Sequence, residues 1–152
     1  MISKFERFTA AISHIDRCIQ KIERVEMAKY GLKGPHAECL LTLGQHPQGI
    51  TAARLCEISE KDKAAISRTL SELEQAGMIL RLDPDGKRYR SQLQLTDKGK
   101  QVAREVSYLM GQAVAKAISG VEYSQGEAFF RVLNLIVENM DDLCRNGLGS
   151  QG

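Results

Sequence analysis

The sequence predicts a mainly α-helical chain carrying one small β-hairpin. Along most of its 152 residues apolar side chains recur at steps of three and four, which gathers them on one face of a helix. Between Met78 and Leu95 the pattern changes to short extended runs around Pro84-Asp85-Gly86, a turn flanked by two strands. With 13 Gly and 3 Pro, no stretch reads as a long linker.

The first helix runs roughly from Ser3 to Met27. Its Ile12, Ile15, Ile19 and Ile22 form a narrow, heptad-like stripe beside Lys21, Glu23, Arg24 and Glu26, and such a stripe calls for a partner helix, in the same chain or in another subunit. Gly31 and Gly34 end it, and Pro35 opens a second helix through about Gln45 that offers Leu40, Leu41 and Leu43 to a core. Gly49-Ile50 is a short extended step, and Thr51 caps a helix through Ile58. A turn at Ser59-Glu60-Lys61 leads to a helix from Asp62 to Ala76 with Ile66, Leu70 and Leu73 inward and Gly77 as its stop. Strands Met78 to Asp83 and Tyr89 to Leu95 follow. A long helix from Thr96 to about Ser119 carries Val102, Val106, Leu109, Ala113 and Ala117 on one face. Ser124-Gln125-Gly126-Glu127 has the form of a capping box for the last helix, whose face is Phe130, Leu133, Val137, Met140 and Cys144.

Composition narrows the function classes. The chain is 43% hydrophobic and 26% charged with a net charge of +2, so only the placement of its positive charge speaks to nucleic acid. There is no apolar run of the roughly 18 residues that a membrane span needs, and Met1 to Ala11 is charged throughout rather than apolar. A cytoplasmic protein without a membrane partner is expected. The sequence holds no P-loop, GxSxG or HExxH, so neither an enzyme nor a cofactor is expected. Cys18, Cys39, Cys56 and Cys144 include no CxxC pair and read as free thiols.

Two short helices joined by a tight turn, followed at once by a basic hairpin, form a winged helix-turn-helix. The second of these helices suits the width of the DNA major groove. Its opening turns carry Lys61, Lys63, Ser67 and Arg68, which can meet phosphates or base edges, while Glu72 and Glu74 make its far end acidic. The hairpin adds Arg81, Lys87, Arg88 and Arg90 near a Gly-containing tip, as a wing reaching the backbone or minor groove would.

The segments Gly49 to Leu55, Asp62-Lys63-Ala64-Ala65-Ile66-Ser67-Arg68 and Leu73-Glu74-Gln75-Ala76-Gly77-Met78-Ile79 resemble the core of the MarR family. The hairpin Arg81 to Arg88 and the exit Leu95-Thr96-Asp97-Lys98-Gly99 continue the likeness in order. The resemblance implies a homodimer with a dimerisation helix at 1–30, a DNA-binding region at 31–98, C-terminal dimerisation helices at 99–146 and a tail at 147–152. Ile12, Ile15, Ile19, Leu133, Val137 and Met140 would form the dimer interface. The partner would be double-stranded DNA with a pseudo-palindromic operator, and the regulator a repressor relieved by a small aromatic or lipophilic ligand. Ala64 and Ala65 replace the small hydroxyl residues usual in the family. Counting from Pro84 makes Arg88 the wing arginine, counting back from Thr96 reaches Tyr89, and Arg90 is the substitute.

Other readings stand beside this one. Cys18 on the first helix is a possible thiol sensor, with Arg17 and Lys21 as its sequence neighbours, against the plainer reading of an inert thiol. His36 and Cys39 are spaced as two metal ligands would be, yet no second close pair exists, so no metal is assigned and His36 reads as a partly exposed ring beside a core thiol. Tyr30, His14 and His36 are candidates to line a ligand space. A winged-helix protein-interaction adaptor without DNA binding is the remaining alternative.

Overall fold

A computed structural model describes residues 3–83 and 91–149. The wing-tip residues Lys87, Arg88 and Arg90, the Pro84-Asp85-Gly86 turn and Tyr89 lie outside the described residues. The chain divides into two compact units, residues 1–110 and 111–152.

The first unit contains helices α1 (Lys4–Ala28), α2 (Gly34–Gly44), α3 (Ala52–Ser59) and α4 (Lys63–Gln75), strands β1 (Ile79–Leu82) and β2 (Gln92–Leu95), and most of α5 (Asp97–Ala117). Local chemistry sets these boundaries. Ser3 and Glu6 form a reciprocal capping box at the start of α1, and Thr51 and Asp62 accept from the backbone N–H groups of Arg54 and Ala65 to open α3 and α4. Gly77, at φ +72°, takes the left-handed conformation that lets the chain leave α4 for β1.

Strands β1 and β2 pair antiparallel, Ile79 opposite Leu95 and Leu82 opposite Gln92. Ile50 adds an isolated antiparallel bridge to β2, exchanging both backbone hydrogen bonds with Leu93 at 3.2 and 2.8 Å. The core gathers Met27 from α1, Leu40 and Leu43 from α2, Leu55 from α3, Leu70 and Leu73 from α4, Met78, Leu93 from β2 and Val106 from α5, all under 2% exposed. Burying several such side chains, at about 25 cal/mol per Å² of apolar surface, drives the unit together.

The Leu95-to-Gly99 exit is the tightest joint. Thr96 donates through its hydroxyl to the Gly77 carbonyl and accepts from the Gly99 N–H, acting as the cap of α5. A Cβ on Gly99 would lie 2.0 Å from the Met78 carbonyl oxygen. Only glycine permits that approach of α5 to the start of the hairpin.

The second unit holds the last turns of α5, a reversal at Gly120 (φ +87°) and α6 (Tyr123–Asn146). The expected capping box at Ser124 does not form. Gly120 turns the chain early enough for Glu122 to take the extended N-cap conformation, so Ser124 falls inside the first turn. The apolar face expected of α6 is left open within the chain: Val137 and Met140 are about half exposed, Leu133 is partly so, and no described residue of α6 is buried. Ile12, Ile15 and Ile19 on α1 are likewise 41 to 52% exposed.

Candidate nucleic-acid interface

Helix α4 divides cleanly into two faces. Ile66, Leu70 and Leu73 turn inward, at most 3% exposed, and the 3.6-residue period then sends Lys63, Ala64, Ser67, Arg68 and Ser71 outward. Among the described residues Lys63, Ser67 and Arg68 make no side-chain hydrogen bond or ion pair, so their donors are available to a partner. Ser71 joins this surface and was not among the residues expected there. Its spacing, four beyond Ser67 and three beyond Arg68, is the signal that could have found it. Ala64 is an outward-facing position without a polar group, whereas Ala65 is half-buried and its N–H is already spent on the Asp62 cap.

The acidic end of α4 is tied down. Glu72 accepts from the Lys33 ammonium at 2.9 Å and from His36 Nε2 at 2.7 Å. These two hydrogen bonds, Lys33 first and His36 second, hold its carboxyl below the usual range. His36 is buried at 3% exposure, which corrects the expectation of a partly exposed ring. Its Nδ1 accepts from the Lys33 backbone N–H at 2.9 Å, so Nε2 carries the proton that goes to Glu72. Burial was not foreseen because the two polar partners that make it tolerable lie on the N-cap of α2 and on another helix. Glu74 accepts from Arg81 Nε at 3.0 Å, so Arg81 serves the hairpin base rather than the open surface. Ser91 and Asp83 are hydrogen-bonded across that base.

Lys61 sits at the entrance to α4, but its ammonium is 2.5 Å from Glu38 Oε2 on α2. The expected basic set is therefore brought together only in part. Lys63, Ser67 and Arg68 share the outward surface, Lys61 is engaged within the chain, and Lys87, Arg88 and Arg90 lie outside the described residues.

The sensor candidates are also located. Cys39 is buried and its thiol is pushed up to about 12, chiefly by burial and then by Glu38. With His36 committed at both nitrogens, neither member of that pair is poised to bind a metal. Cys18 is exposed, and its polar neighbour is His14 Nε2 at 3.8 Å rather than Arg17 or Lys21. Among the described residues no cluster of three metal-ligating side chains occurs, and no helix is long and apolar enough to cross a membrane. A cavity of about 390 Å³ opens between α2, β2 and α5, with Leu41, Leu43, Leu95 and Ala103 beside Lys100 and Arg104. Tyr30, His14 and His36 do not line it. Tyr30 instead donates through its hydroxyl to Glu105, joining the exit of α1 to α5.

A model of the MarR family matches residues 30–88, the segment from the end of α1 through the expected wing arginine. The fold is similar to that of a MarR-family transcriptional regulator from Listeria monocytogenes crystallised with 26-mer DNA, at 22% identity over 95% of this chain and 97% of that one, with a TM-score of 0.80. It is also similar to a MarR transcriptional regulator from Methanosarcina mazei Go1, at 22% identity over 94% of each chain, with a TM-score of 0.83. At such identities the likeness to these structures is one of fold.

Proposed function

Because a MarR-family model matches its helix-turn-helix segment, we propose that the chain is a member of that family and a dimeric, sequence-specific DNA-binding transcriptional regulator with α4 as the recognition helix. The observation that carries this reading is the outward face of α4. It presents Lys63, Ser67, Arg68 and Ser71 unengaged, while on the same helix Glu72 is paired with Lys33 and hydrogen-bonded by His36, and Glu74 is paired with Arg81. Such a surface offers donors to phosphates and base edges without a competing negative field. The Listeria structure, which holds DNA on a similar fold, adds support. Lys87, Arg88 and Arg90 are assigned to the wing.

The dimer is proposed from the apolar stripes left open on α1 and α6, which include Ile12, Ile15, Ile19, Leu133, Val137 and Met140. Two winged helices would then read half-sites about one helical turn apart. Relief of repression is assigned to a small ligand in the cavity between α2, β2 and α5. Its volume of about 390 Å³ and apolar walls suit a small lipophilic molecule, with Lys100 and Arg104 facing any anionic group it carries.

Selection of bound sequences from a random duplex pool tests the reading. Enrichment of a palindrome with half-sites about one turn apart is expected. Arg68→Ala should then weaken binding to the enriched duplex by about tenfold or more with the dimer intact. Binding that enriches no sequence and ignores Arg68→Ala would favour the adaptor reading, to which the apolar Ala64 and the engaged Lys61 lend some weight.

A further inference from the structure

Lys61 is the basic residue at the doorway of α4, and the chain already supplies it with an anion. Its ammonium is 2.5 Å from Glu38 Oε2, and the two side chains are 40% and 44% exposed. The pair borders a groove of about 570 Å³ between α1, the start of α2 and the turn before α4, which also gathers Asp16, Glu23 and Arg24. Carboxylates outnumber cations there, and Lys61 is a counter-ion to the groove as a whole. The Glu23 carboxyl shows the strain of that arrangement. It is pushed above its ordinary value by burial first and by Glu38 next, Lys61 pulls it back, and Asp16 adds to the push.

We propose that Glu38 competes with DNA phosphate for Lys61, forming an intramolecular latch that withholds one phosphate contact from the recognition helix and thereby sets the affinity of the interface. The inference rests on the DNA-binding reading above. A carboxylate and a phosphate oxygen accept the same N–H donors, and an ammonium on a flexible four-carbon stem can exchange one for the other by rotamer change alone. Because both partners are about half exposed, the exchange requires no unfolding. Lys61 adjoins Asp62, the N-cap of α4, so a released ammonium lies beside the helix end that the proposed function inserts toward DNA. Lys63 and Arg68 carry no such internal anion, so among the described basic residues at the entrance and outward face of α4 the latch is particular to Lys61.

The test is a double-mutant cycle on the full chain with Glu38→Gln, Lys61→Gln and the pair. Affinity for a mixed-sequence duplex of about three helical turns is read by fluorescence anisotropy at several salt concentrations. Glu38→Gln should tighten binding about two- to fivefold, the range an exposed ion pair can set. It should also steepen the salt dependence by about one unit, as one more phosphate is neutralised. In the Lys61→Gln background both gains should vanish. An equal gain with and without Lys61 would mean that removing any negative charge suffices, and would overturn the latch. No gain in either background would overturn it as well. Glu38→Gln is isosteric, and Glu38→Ala repeats the cycle should the first variant melt early. A parent chain that binds no duplex at any salt sinks the DNA-binding reading and the latch with it, whereas a parent that binds but shows an additive cycle sinks the latch alone.

Discussion

Helices α4 and α6 are both amphipathic, yet only α4 finds its apolar partners within its own unit. Ile66, Leu70 and Leu73 of α4 are at most 3% exposed, whereas Phe129, Val132, Leu135 and Val137 of α6 are 51 to 56% exposed. The same kind of side chain therefore does opposite things in the two helices. In α4 it anchors the helix and leaves the polar face exposed. In α6 the apolar residues are themselves the surface left over, and a contiguous exposed apolar face marks a place of association. The two proposed interfaces thus differ in chemistry, a polar face on α4 and an apolar one on α6.

Truncations break the comparison most directly. Leu70→Ala should cost about 3 kcal/mol of folding stability, the usual loss when a fully buried leucine leaves a cavity. Denaturant melts of the two proteins at equal concentration would check this. Leu135→Ala on α6 should cost far less, and similar losses for the two would erase the contrast. A charge on α6 acts on assembly instead. Val137→Glu should weaken self-association by about thirtyfold or more, as burying an unpaired carboxylate at a seam does. Light scattering across a dilution series would show the mass falling toward that of one chain, while a mass unchanged by the substitution would remove Val137 from the proposed interface.

A subtler contrast lies in how α4 is held. Its acidic end depends on the Glu72 carboxylate, whose folded value is depressed below its ordinary 4.5 by Lys33 and then His36. A depressed carboxylate contributes stability above its unfolded value and loses it as pH falls through the folded one. Glu72→Gln should therefore lower the melting temperature at neutral pH, and the gap from the parent should close as the pH drops below 4.5. A gap that persists undiminished in acid would show that the carboxylate charge is not what ties α4 to Lys33 and His36.

Much of this frame was legible in the sequence because periodicity reports which side of a helix meets the core. Ile66, Leu70 and Leu73, the extended step at Ile50, the stop at Gly77 and the cap at Thr51 all emerge where their spacing puts them. Pairing between polar groups does not repeat with any period, and there the sequence was mute. Glu38 and Lys61 stand 23 residues apart, and His36 and Glu72 stand 36 apart. Nothing local announces that they meet, so Lys61 read as a free DNA contact and His36 as partly exposed. The start of α6 was misplaced for a related reason: Ser124 and Glu127 have the right spacing for a capping box, but Gly120 reverses the chain soon enough for Glu122 to take the cap first.

The turn between α3 and α4 gives the smallest effect and the sharpest one. Glu60 is the one non-glycine residue with positive φ among those described, at +53°, and its side chain has no hydrogen-bond or ion-pair partner there. A side chain in the left-handed region pays about 1 kcal/mol or more that glycine does not, while glycine loses more freedom on folding. On balance Glu60→Gly should stabilise the chain by about 0.5 kcal/mol, read as a shift in denaturant midpoint at unchanged slope. The turn belongs to the self-sufficient region whose core already fixes α3 and α4, so relieving its backbone should leave the proposed self-association through α6 untouched. A loss of stability would instead assign the Glu60 side chain a role in holding the turn, and with it the angle at which α4 presents Lys63 and Arg68.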